Sequence, residues 1–313
     1  MSVEYAEREE KWFAHQVPFA REIKTHWGGD WGVASEVGKL KAVLLRRPGR
    51  EIENIGDPAR WRWLAAMNPE KARQEQDYLA DIYRQNGVQV YYVEEAHPNR
   101  PNSLYMRDSI LMTPEGAIVC RHALEARRGE ERYAALALAK LGVPIVRTIS
   151  GEGIFEGACC LWVDRETVIL GSGVRANEAG LRQVREVLSE MGVNYFIPFQ
   201  IPYGHAHVDG LMNLIDRDLA IMFPWQMPYD VWAALKERGY TILEAPSIDE
   251  VKKTFACNMV ALEPRKVVMP AGNPQTRAML EEAGVTVIEV PLYEIMKGWG
   301  AVHCMTVFLK RED

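Results

Sequence analysis

The sequence predicts an α/β fold, a five-fold pseudo-symmetric α/β propeller built from ββαβ-type units. Two observations predict it. One phrase recurs five times along the chain: an amphipathic helical stretch, a glycine, and a short run rich in β-forming residues. The glycines are separated by 55, 50, 47 and 45 residues, a spacing regular enough to indicate a repeat architecture. Pairs of apolar runs between the phrases predict further strands. The glycines are Gly87, Gly142, Gly192, Gly239 and Gly284.

In each phrase the glycine is expected to end the helix. Helices often end at a residue in the left-handed conformation, which glycine adopts without steric penalty. The residues that follow, such as VQVYYV after Gly87 and VTVIEV after Gly284, are rich in β-branched and aromatic side chains and favour a strand.

The apolar runs between the phrases are joined in pairs by the turn sequences TPEG, DRET, DRD and EPRK. These turns predict β-hairpins. LKAVLLRRP and CMTVFLKR are further candidate strands. Each unit is therefore predicted as two strands, a helix and another strand. A generic alternating α/β fold would also produce helix–Gly–strand phrases, but five regular copies favour the propeller, with a site where the units converge.

No linker rich in Pro or Ser divides the chain. The sequence predicts a polar, helical N-terminal extension over residues 1–30. A single α/β-propeller catalytic domain is predicted over residues 31–313.

The amino-acid composition narrows the functional classes to which the protein can belong. The 313 residues are 48% hydrophobic and 26% charged, with a net charge of −6, as in ordinary globular proteins. The negative balance argues against a nucleic-acid or anionic-membrane surface, since both favour basic patches. No apolar run approaches the ~20 residues of a membrane span, and the charged N-terminus lacks the apolar core of a signal peptide. We expect a cytoplasmic protein whose partner is a small molecule.

The cysteines number five, an odd and low count that argues against a disulfide framework. No CxxC pair exists, which argues against a cysteine zinc site. Cys304 lies in the glycine-rich phrase GWGAVHCMT, residues 298–306. Glycines allow a sharp bend and a close approach to a ligand. Cys304 is therefore a candidate nucleophile, the alternative being a small buried hydrophobic residue.

The phrase GHAHVDG, residues 204–210, offers His205, His207 and Asp209 at alternating positions, which share one face on a strand. Two chemistries fit this pattern. One is a metal site made of two imidazoles and a carboxylate. The other is a single histidine acting as general acid and base beside a cysteine. The absence of HExxH makes the metal site the weaker of the two.

Four further segments carry candidate residues. PNSLYMRDS contains Asn102 and Asp108, and a carboxylate before an apolar run needs a partner or a ligand. Glu156 in GIFEGACC stands among small residues, where it could orient an imidazole. Arg175 in GSGVRANEAG and Arg127 in LEARRGEE could each clamp a carboxylate. Carboxylates beside a nucleophile suit a substrate with a cationic reacting group, and arginines suit a substrate with an anionic group at its other end. A guanidino amino acid has both groups.

Together, these segments resemble the guanidine-modifying, or pentein, superfamily of arginine deiminases, dimethylarginine dimethylaminohydrolases and amidinotransferases. The resemblance runs from WGVASEVGKLKAVLLRRPG to the end of the chain, with the motifs in the family's order. It implies the five-fold α/β propeller that the repeats predict. It also implies catalysis without a metal or organic cofactor.

Site residues follow from the matched motifs. The resemblance implies Cys304 as nucleophile, His207 as general acid and base, and Glu156 as the acid that partners His207. For substrate binding, it implies two carboxylates that hold the guanidinium, an asparagine, and two arginines for the anionic end of the substrate. These residues are Asp108, Asp209, Asn102, Arg127 and Arg175.

Three features depart from the family's pattern. Cys159 replaces the aspartate of the family's E-G-G-D phrase. Trp299 stands where arginine deiminases carry an arginine near the nucleophile. The G-x-x-H-C-x-T form of the terminal phrase also resembles amidinotransferases. The sequence therefore leaves the substrate and the reaction type open.

The leading prediction is a hydrolase that cleaves a guanidino C–N bond through an S-amidino intermediate. An amidinotransferase, which passes the amidino group to an amine, is the first alternative. A metal hydrolase using His205, His207 and Asp209 is the second, and a non-catalytic binding protein is the third. A homo-oligomer is compatible with the sequence, which does not set the oligomeric state.

Overall fold

The computed structural model describes residues 16–95 and 97–312. Its α-helices follow the amphipathic stretches of the sequence. Most of the predicted N-terminal extension lies outside the described residues, since only its end, including α1, is described. The helices are α1 (Phe19–His26), α2 (Pro69–Gln85), α3 (Glu130–Leu141), α4 (Glu178–Glu190), α5 (Tyr229–Glu237), α6 (Ile248–Lys253), α7 (Pro274–Glu282) and α8 (Val302–Met305).

The strands are short, as expected for runs that lie between closely spaced turns. They are β1 (Lys39–Leu45), β2 (Gln89–Tyr92), β3 (Ile110–Thr113), β4 (Gly116–Val119), β5 (Ile145–Thr148), β6 (Cys160–Asp164), β7 (Thr167–Ser172), β8 (Tyr195–Gln200), β9 (Met212–Asp216), β10 (Leu219–Met222), β11 (Thr241–Glu244), β12 (Val260–Glu263), β13 (Lys266–Pro270), β14 (Thr286–Val290) and β15 (Val307–Glu312).

These strands form five three-stranded sheets of the same design. In four of them a hairpin supplies an antiparallel pair, and the strand after the next long helix adds in parallel, as in β3-β4-β5. The predicted turns TPEG, DRET, DRD and EPRK all join such pairs, which confirms the four hairpins. The protein therefore has a mixed α/β fold with five repeated units.

The remaining sheet joins distant parts of the chain, in the order β15-β1-β2. β1 pairs in parallel with β2, and its other edge pairs antiparallel with β15. The strand near the C-terminus therefore takes the place that the first strand of a hairpin has in the other four sheets.

The five repeat glycines have the predicted conformation. All of them have a positive φ, between 72° and 95°, at or just after the end of a long helix. The chain then turns directly into the third strand of each unit. The local prediction of helix, left-handed glycine and strand is confirmed in all five copies.

Burial follows the position of a strand in its sheet. The first and middle strands are mostly buried, and β3 and β4 are buried along their whole length. The third strands, such as β5 and β11, are partly exposed. Trp162 on β6 is fully buried and donates from Nε1 to the carbonyl oxygen of Met112, 3.0 Å away, which ties two neighbouring sheets together. The core thus lies among the inner strands. Among the described residues, no helix is long and apolar enough to cross a bilayer.

Gly157 gives a test of this packing. A Cβ at this position would lie 2.4 Å from the carbonyl oxygens of both Arg107 and Ile110. Because both are backbone atoms, they cannot rotate away. We expect Gly157→Ala to lower the free energy of unfolding by about 2 to 3 kcal/mol, measured by urea denaturation.

Gly210→Ala is the matched control, because a Cβ at Gly210 would meet no atom within 4 Å. Its free energy of unfolding should stay within about 0.5 kcal/mol of the parent value. Equal destabilisation by the two substitutions would contradict the packing argument.

Candidate active site

The predicted site residues lie where the chain enters the inner strands. Short turns precede β3, β6 and β9, and α8 precedes β15. Asp108, Glu156, His207, Asp209 and Cys304 are all buried in these segments. Contacts between side chains from different units join them into one cluster, described below. The structure therefore brings these five predicted residues close together.

Cys304 lies in the first turn of α8, with 8% of its surface exposed. Its Sγ accepts a hydrogen bond from Nδ2 of Asn258 at 3.2 Å, and its thiol donates to Oδ2 of Asp209 at 3.5 Å. Asn258 also accepts, through Oδ1, hydrogen bonds from the backbone N–H groups of His303 and Cys304. One asparagine therefore fixes both the sulfur and the backbone that carries it.

The surroundings of Cys304 keep its thiol protonated. Burial raises the pKa of the thiol well above its ordinary value, and the negative charges of Asp209 and Asp108 raise it further. A cation placed between these carboxylates would remove most of their electrostatic effect. A positively charged ligand between the carboxylates would therefore oppose the part of the pKa shift that Asp209 and Asp108 cause.

His207 lies between two carboxylates. Its Nε2 is 2.6 Å from Oε2 of Glu156, and its Nδ1 is 3.6 Å from Oδ1 of Asp108. Burial alone would lower the pKa of His207, but Asp108 and Glu156 outweigh it and raise the pKa. The imidazole is therefore favoured in its protonated form, ready to donate a proton.

Glu156 is fully buried and holds several donors. It accepts from the Ala123 N–H, at 2.9 Å, from Nη1 of Arg175, and from His207. Burial alone would raise its pKa, but contacts with His122 and His207 and the charge of Arg175 hold the pKa well below its ordinary value. Glu156 is thus a fixed carboxylate that orients the His207 ring.

Asp108 has one satisfied and one unsatisfied oxygen. Oδ2 accepts a hydrogen bond from Nη1 of Arg127. Oδ1 is buried and has no hydrogen-bond partner, although it faces His207. A buried carboxylate oxygen without a donor is costly. Oδ1 is therefore well placed to accept a hydrogen bond from a ligand.

The structure gives both predicted carboxylate-binding arginines internal partners. Arg127 is buried and bonds to Asp108 and twice to Glu130, at 2.8 and 3.0 Å. Nη1 of Arg175 lies 3.1 and 3.2 Å from the two oxygens of Glu156. In this arrangement both guanidinium groups hold the site's own acids in place.

Asn102 is also engaged with the protein itself. Its side-chain amide donates to the carbonyl oxygen of Trp61 at 3.0 Å and accepts from Nε1 of Trp63. Its own carbonyl oxygen accepts from Arg127 at 3.3 Å. Asn102 therefore joins the 61–63 segment to the turn that carries Asp108.

Sequence reasoning missed a second layer of charged groups. His303 is fully buried, with Nδ1 2.8 Å from Oδ2 of Asp209 and Nε2 3.2 Å from Oε2 of Glu36. Glu36 also accepts from Arg107 at 2.7 Å. His303 stands inside the glycine-rich phrase beside Cys304 and could have been found there, whereas Glu36 belongs to none of the motifs.

Glu36 makes stability depend on pH. Burial alone would raise its pKa, but Arg107 and His303 lower it from 4.5 to about 2. A carboxyl group with a lowered pKa in the folded state stabilises the fold above its unfolded pKa, and this contribution fades as the pH falls toward 2. The contribution of Glu36 at neutral pH is of order 3 kcal/mol.

We therefore expect the difference in unfolding free energy between the parent protein and Glu36→Gln to be largest at pH 6 and above, and to shrink between about pH 4.5 and pH 2. Urea denaturation at several pH values measures it. Glu190→Gln, at the exposed end of α4, should follow the parent protein at every pH. A pH-independent difference for Glu36→Gln would contradict the assignment.

The alternative metal set of His205, His207 and Asp209 differs from the cluster that the structure brings together. Within the described part of the chain, the group whose ligand atoms come within 4.8 Å of one another is Asp108, Glu156 and His207. His205 is only half-buried and is not among these residues. Two of the three clustered residues, Asp108 and Glu156, already form ion pairs with arginines.

Cys159 and Trp299, the two residues that depart from the family's pattern, differ in burial. Cys159 is fully buried, and burial together with Glu156 raises its pKa well above the ordinary value. Trp299 is 53% exposed, has a left-handed backbone with φ of 68°, and packs edge-on against Phe255. Cys159 therefore packs as an apolar residue behind the site, and Trp299 presents an aromatic surface to solvent five residues before Cys304.

Comparison with known proteins places this chain among guanidine-modifying enzymes. Residues 60–311 match the model of a family described as N,N dimethylarginine dimethylhydrolase, eukaryotic. Arginine deiminase from Borrelia recurrentis is 23% identical, over 90% of this chain and 98% of the relative. The structure of dimethylarginine dimethylaminohydrolase from Pseudomonas aeruginosa, complexed with citrulline, has a TM-score of 0.72 at 22% identity and covers 86% of this chain and 99% of its own. An amidinotransferase from Microseira wollei has a TM-score of 0.72 at 16% identity, covering 90% and 98%.

The repeated sheets and the matched relatives define the class as the guanidine-modifying, or pentein, superfamily. The resemblance seen in the sequence is confirmed. Because the family model spans most of the residues, the chain belongs to the N,N dimethylarginine dimethylhydrolase family. The relatives named as arginine deiminase and dimethylarginine dimethylaminohydrolase are hydrolases that act on C–N bonds in linear amidines, and the predicted enzyme class is confirmed at that level.

Proposed function

We propose that this protein hydrolyses a C–N bond of a guanidino compound, of the arginine or substituted-arginine type, through a covalent intermediate on Cys304. The observation that carries the proposal is a pair of buried carboxylates beside a buried thiol. Asp209 touches Sγ of Cys304, and Asp108 has an oxygen without a donor. A guanidinium offers a planar set of N–H donors and a positive charge, which suit the free oxygen of Asp108 and the carboxylate of Asp209 beside the thiol.

Substrate binding and nucleophile activation are coupled in this proposal. The guanidinium donates to Asp108 and Asp209 and offsets the charges that keep the Cys304 thiol protonated. The thiol gives up its proton to solvent, and the guanidinium carbon lies within reach of the thiolate. Without a cationic ligand the thiol stays neutral, which protects it from unwanted alkylation.

The chemical steps then follow in order. The thiolate attacks the guanidinium carbon, forming a C–S bond and a tetrahedral intermediate. Protonated His207 gives its proton to the departing nitrogen, and the C–N bond breaks, releasing ammonia or an amine. Neutral His207 next takes a proton from water, whose oxygen attacks the S-amidino carbon. The C–S bond breaks with its electron pair going to sulfur, the proton of the new hydroxyl passes to the thiolate, and the neutral ureido product leaves the regenerated Cys304 thiol behind.

The other predicted residues act on the reacting groups in two ways. Glu156 holds His207 in orientation, and Arg175 holds Glu156. Arg127 and Asn102 fix the turn that carries Asp108. In this proposal, Arg127, Arg175 and Asn102 are positioning residues rather than direct ligands of the substrate tail.

An amidinotransferase is the alternative, since structural neighbours with that activity share the fold. Both reactions pass through the same S-amidino intermediate and differ only in the acceptor, which is water or an amine. The geometry around His207 serves either acceptor.

Product analysis separates the two. The full-length protein is incubated with arginine, N-methylated arginines and agmatine, with and without an added amine, and ureido products, free amines and transferred amidino groups are quantified. We expect a ureido product without any added amine. Amidino transfer that requires the amine would replace hydrolase by amidinotransferase, and inertness toward every guanidine would overturn the proposal.

We further propose that the five sheets close into a propeller and that residues 31–313 form one catalytic domain. Pairing of β1 with β15, which joins the two ends of the repeat array, supports closure. The five cysteines, all within the described residues, are unpaired, which is compatible with the predicted cytoplasmic location. Location and oligomeric state stay predictions.

A further inference from the structure

A second cavity lies away from the candidate active site. It has a volume of about 460 Å³, within the size range of small-molecule sites. Its floor contains the buried side chains of Ser35, Val163 and Tyr240. Its remaining wall comes from the β6–β7 turn, the β9–β10 turn and the end of α5, and it carries three arginines.

The cavity and the catalytic cluster lie at opposite ends of the same strands. Glu156 precedes β6, and Arg165 follows it; His207 precedes β9, and Arg217 follows it. Each of these strands has five residues, a length of roughly 16 Å at the usual rise per residue. A molecule in this cavity therefore does not touch Cys304 or His207.

The charges around the cavity are unbalanced. The side chains of Arg165 and Arg217 make no ion pair or hydrogen bond with the described residues. Arg238 donates to the carbonyl oxygen of Ala234 at 3.0 Å and has no acidic partner there. Asp164 is the carboxylate that lines the cavity.

Two nearby acids share one arginine that does not line the cavity. Asp216 and Asp218, in the turn that carries Arg217, are both paired with Arg265, at 2.7 and 3.2 Å. The phenol of Tyr240 is buried, with its pKa raised to about 12 by burial and by nearby aspartates. Tyr240 therefore remains a neutral hydrogen-bond donor at the floor.

We propose that this cavity is a binding site for a small molecule that carries at least two negative groups, either phosphates or carboxylates. Three guanidinium groups around one opening exceed what the single carboxylate Asp164 can neutralise. Guanidinium forks bind phosphate and carboxylate oxygens in pairs. The enclosed floor excludes water from one side of the ligand and strengthens these contacts.

Isothermal titration of the full-length protein with inorganic pyrophosphate tests the proposal, at one fixed ionic strength. We expect saturable binding, weakened roughly tenfold by Arg165→Gln and likewise by Arg217→Gln, since each removes a charge-assisted contact. Arg165→Lys, which keeps the charge but not the fork, should weaken binding less than Arg165→Gln.

Arg182→Gln, on the exposed surface of α4, is the matched control and should leave the affinity within about twofold. Absence of saturable binding of both pyrophosphate and citrate up to about 10 mM would overturn the proposal. Equal weakening by Arg182→Gln would also overturn it, because it would show attraction to overall charge rather than to the cavity. Titration with citrate then distinguishes carboxylate from phosphate ligands.

Discussion

Cys304→Ser is expected to lower kcat on the guanidino substrate by about 10⁴-fold or more, while substrate still binds. A serine hydroxyl is a far weaker nucleophile at neutral pH than a thiolate, and no neighbouring group is placed to ionise it. The hydrogen-bonding position of Asn258 and the carboxylate of Asp209 remain in place around the new hydroxyl. Steady-state kinetics gives kcat, and equilibrium titration with substrate gives the binding constant.

Mass spectrometry adds a second readout for the same variant. The parent protein, quenched during turnover, should carry an added amidino group on the peptide containing Cys304, and the serine variant should not. Cys257→Ala is the matched control, because this buried thiol has a pKa raised to about 12 by burial alone. It should retain turnover within a few-fold; turnover of Cys304→Ser near the parent rate would remove Cys304 from the mechanism.

Asp209→Asn is expected to change substrate turnover and thiol reactivity in opposite directions. Loss of one carboxylate should lower kcat/KM for a guanidinium substrate by about 10² to 10³-fold, since a buried charged hydrogen bond is lost. The same loss removes a negative charge that raises the pKa of Cys304. The thiol pKa should therefore fall, and alkylation of the free protein by iodoacetamide at pH 8 should accelerate.

Because turnover should fall while the alkylation rate of the thiol rises, the result distinguishes this explanation from general damage to the fold. A distorted protein would lose turnover without a lowered thiol pKa. The pH profile of alkylation, followed by peptide mass spectrometry at Cys304, measures that pKa. Asp216→Asn, at the other end of β9, is the control and should leave the profile unchanged. A raised or unaltered Cys304 pKa in Asp209→Asn would contradict the proposed electrostatic coupling.

The repeated units could be predicted because their signals are local. Gly87 and its four counterparts end helices through their own backbone freedom, and each turn sequence lies between the strands that it joins. Pairing of β1 with β15 is different in kind, since these strands are separated by almost the whole chain. Nothing in the local pattern of LKAVLLRRP indicates its partner.

The reactive groups were predictable for a similar reason. Asp108, Glu156, His207 and Cys304 each stand in a short motif directly before an inner strand. Their partners could not be inferred in the same way, because ion pairs depend on which side chains meet in space. The contact between His303 and Glu36 spans 267 positions.

Arg127 and Arg175 show most clearly what could not be predicted from the sequence. From the sequence, Arg127 and Arg175 are free cations suited to a substrate carboxylate. In the fold, each lies 19 positions from the acid that it contacts, Asp108 or Glu156. A buried acid attracts a nearby cation strongly, so the internal pairs form where the motif pattern alone implied external ones.

The pairing of β15 with β1 has a consequence for shortened chains. Cys304 precedes β15 by three positions, so the proposed nucleophile and the closing strand come from one short stretch of the chain. Until β15 pairs with β1, the thiol cannot meet Asp209 and Asn258 in their folded arrangement. A chain cut before Cys304 lacks both the closing strand and the proposed nucleophile, and we expect it to be inert rather than partly active.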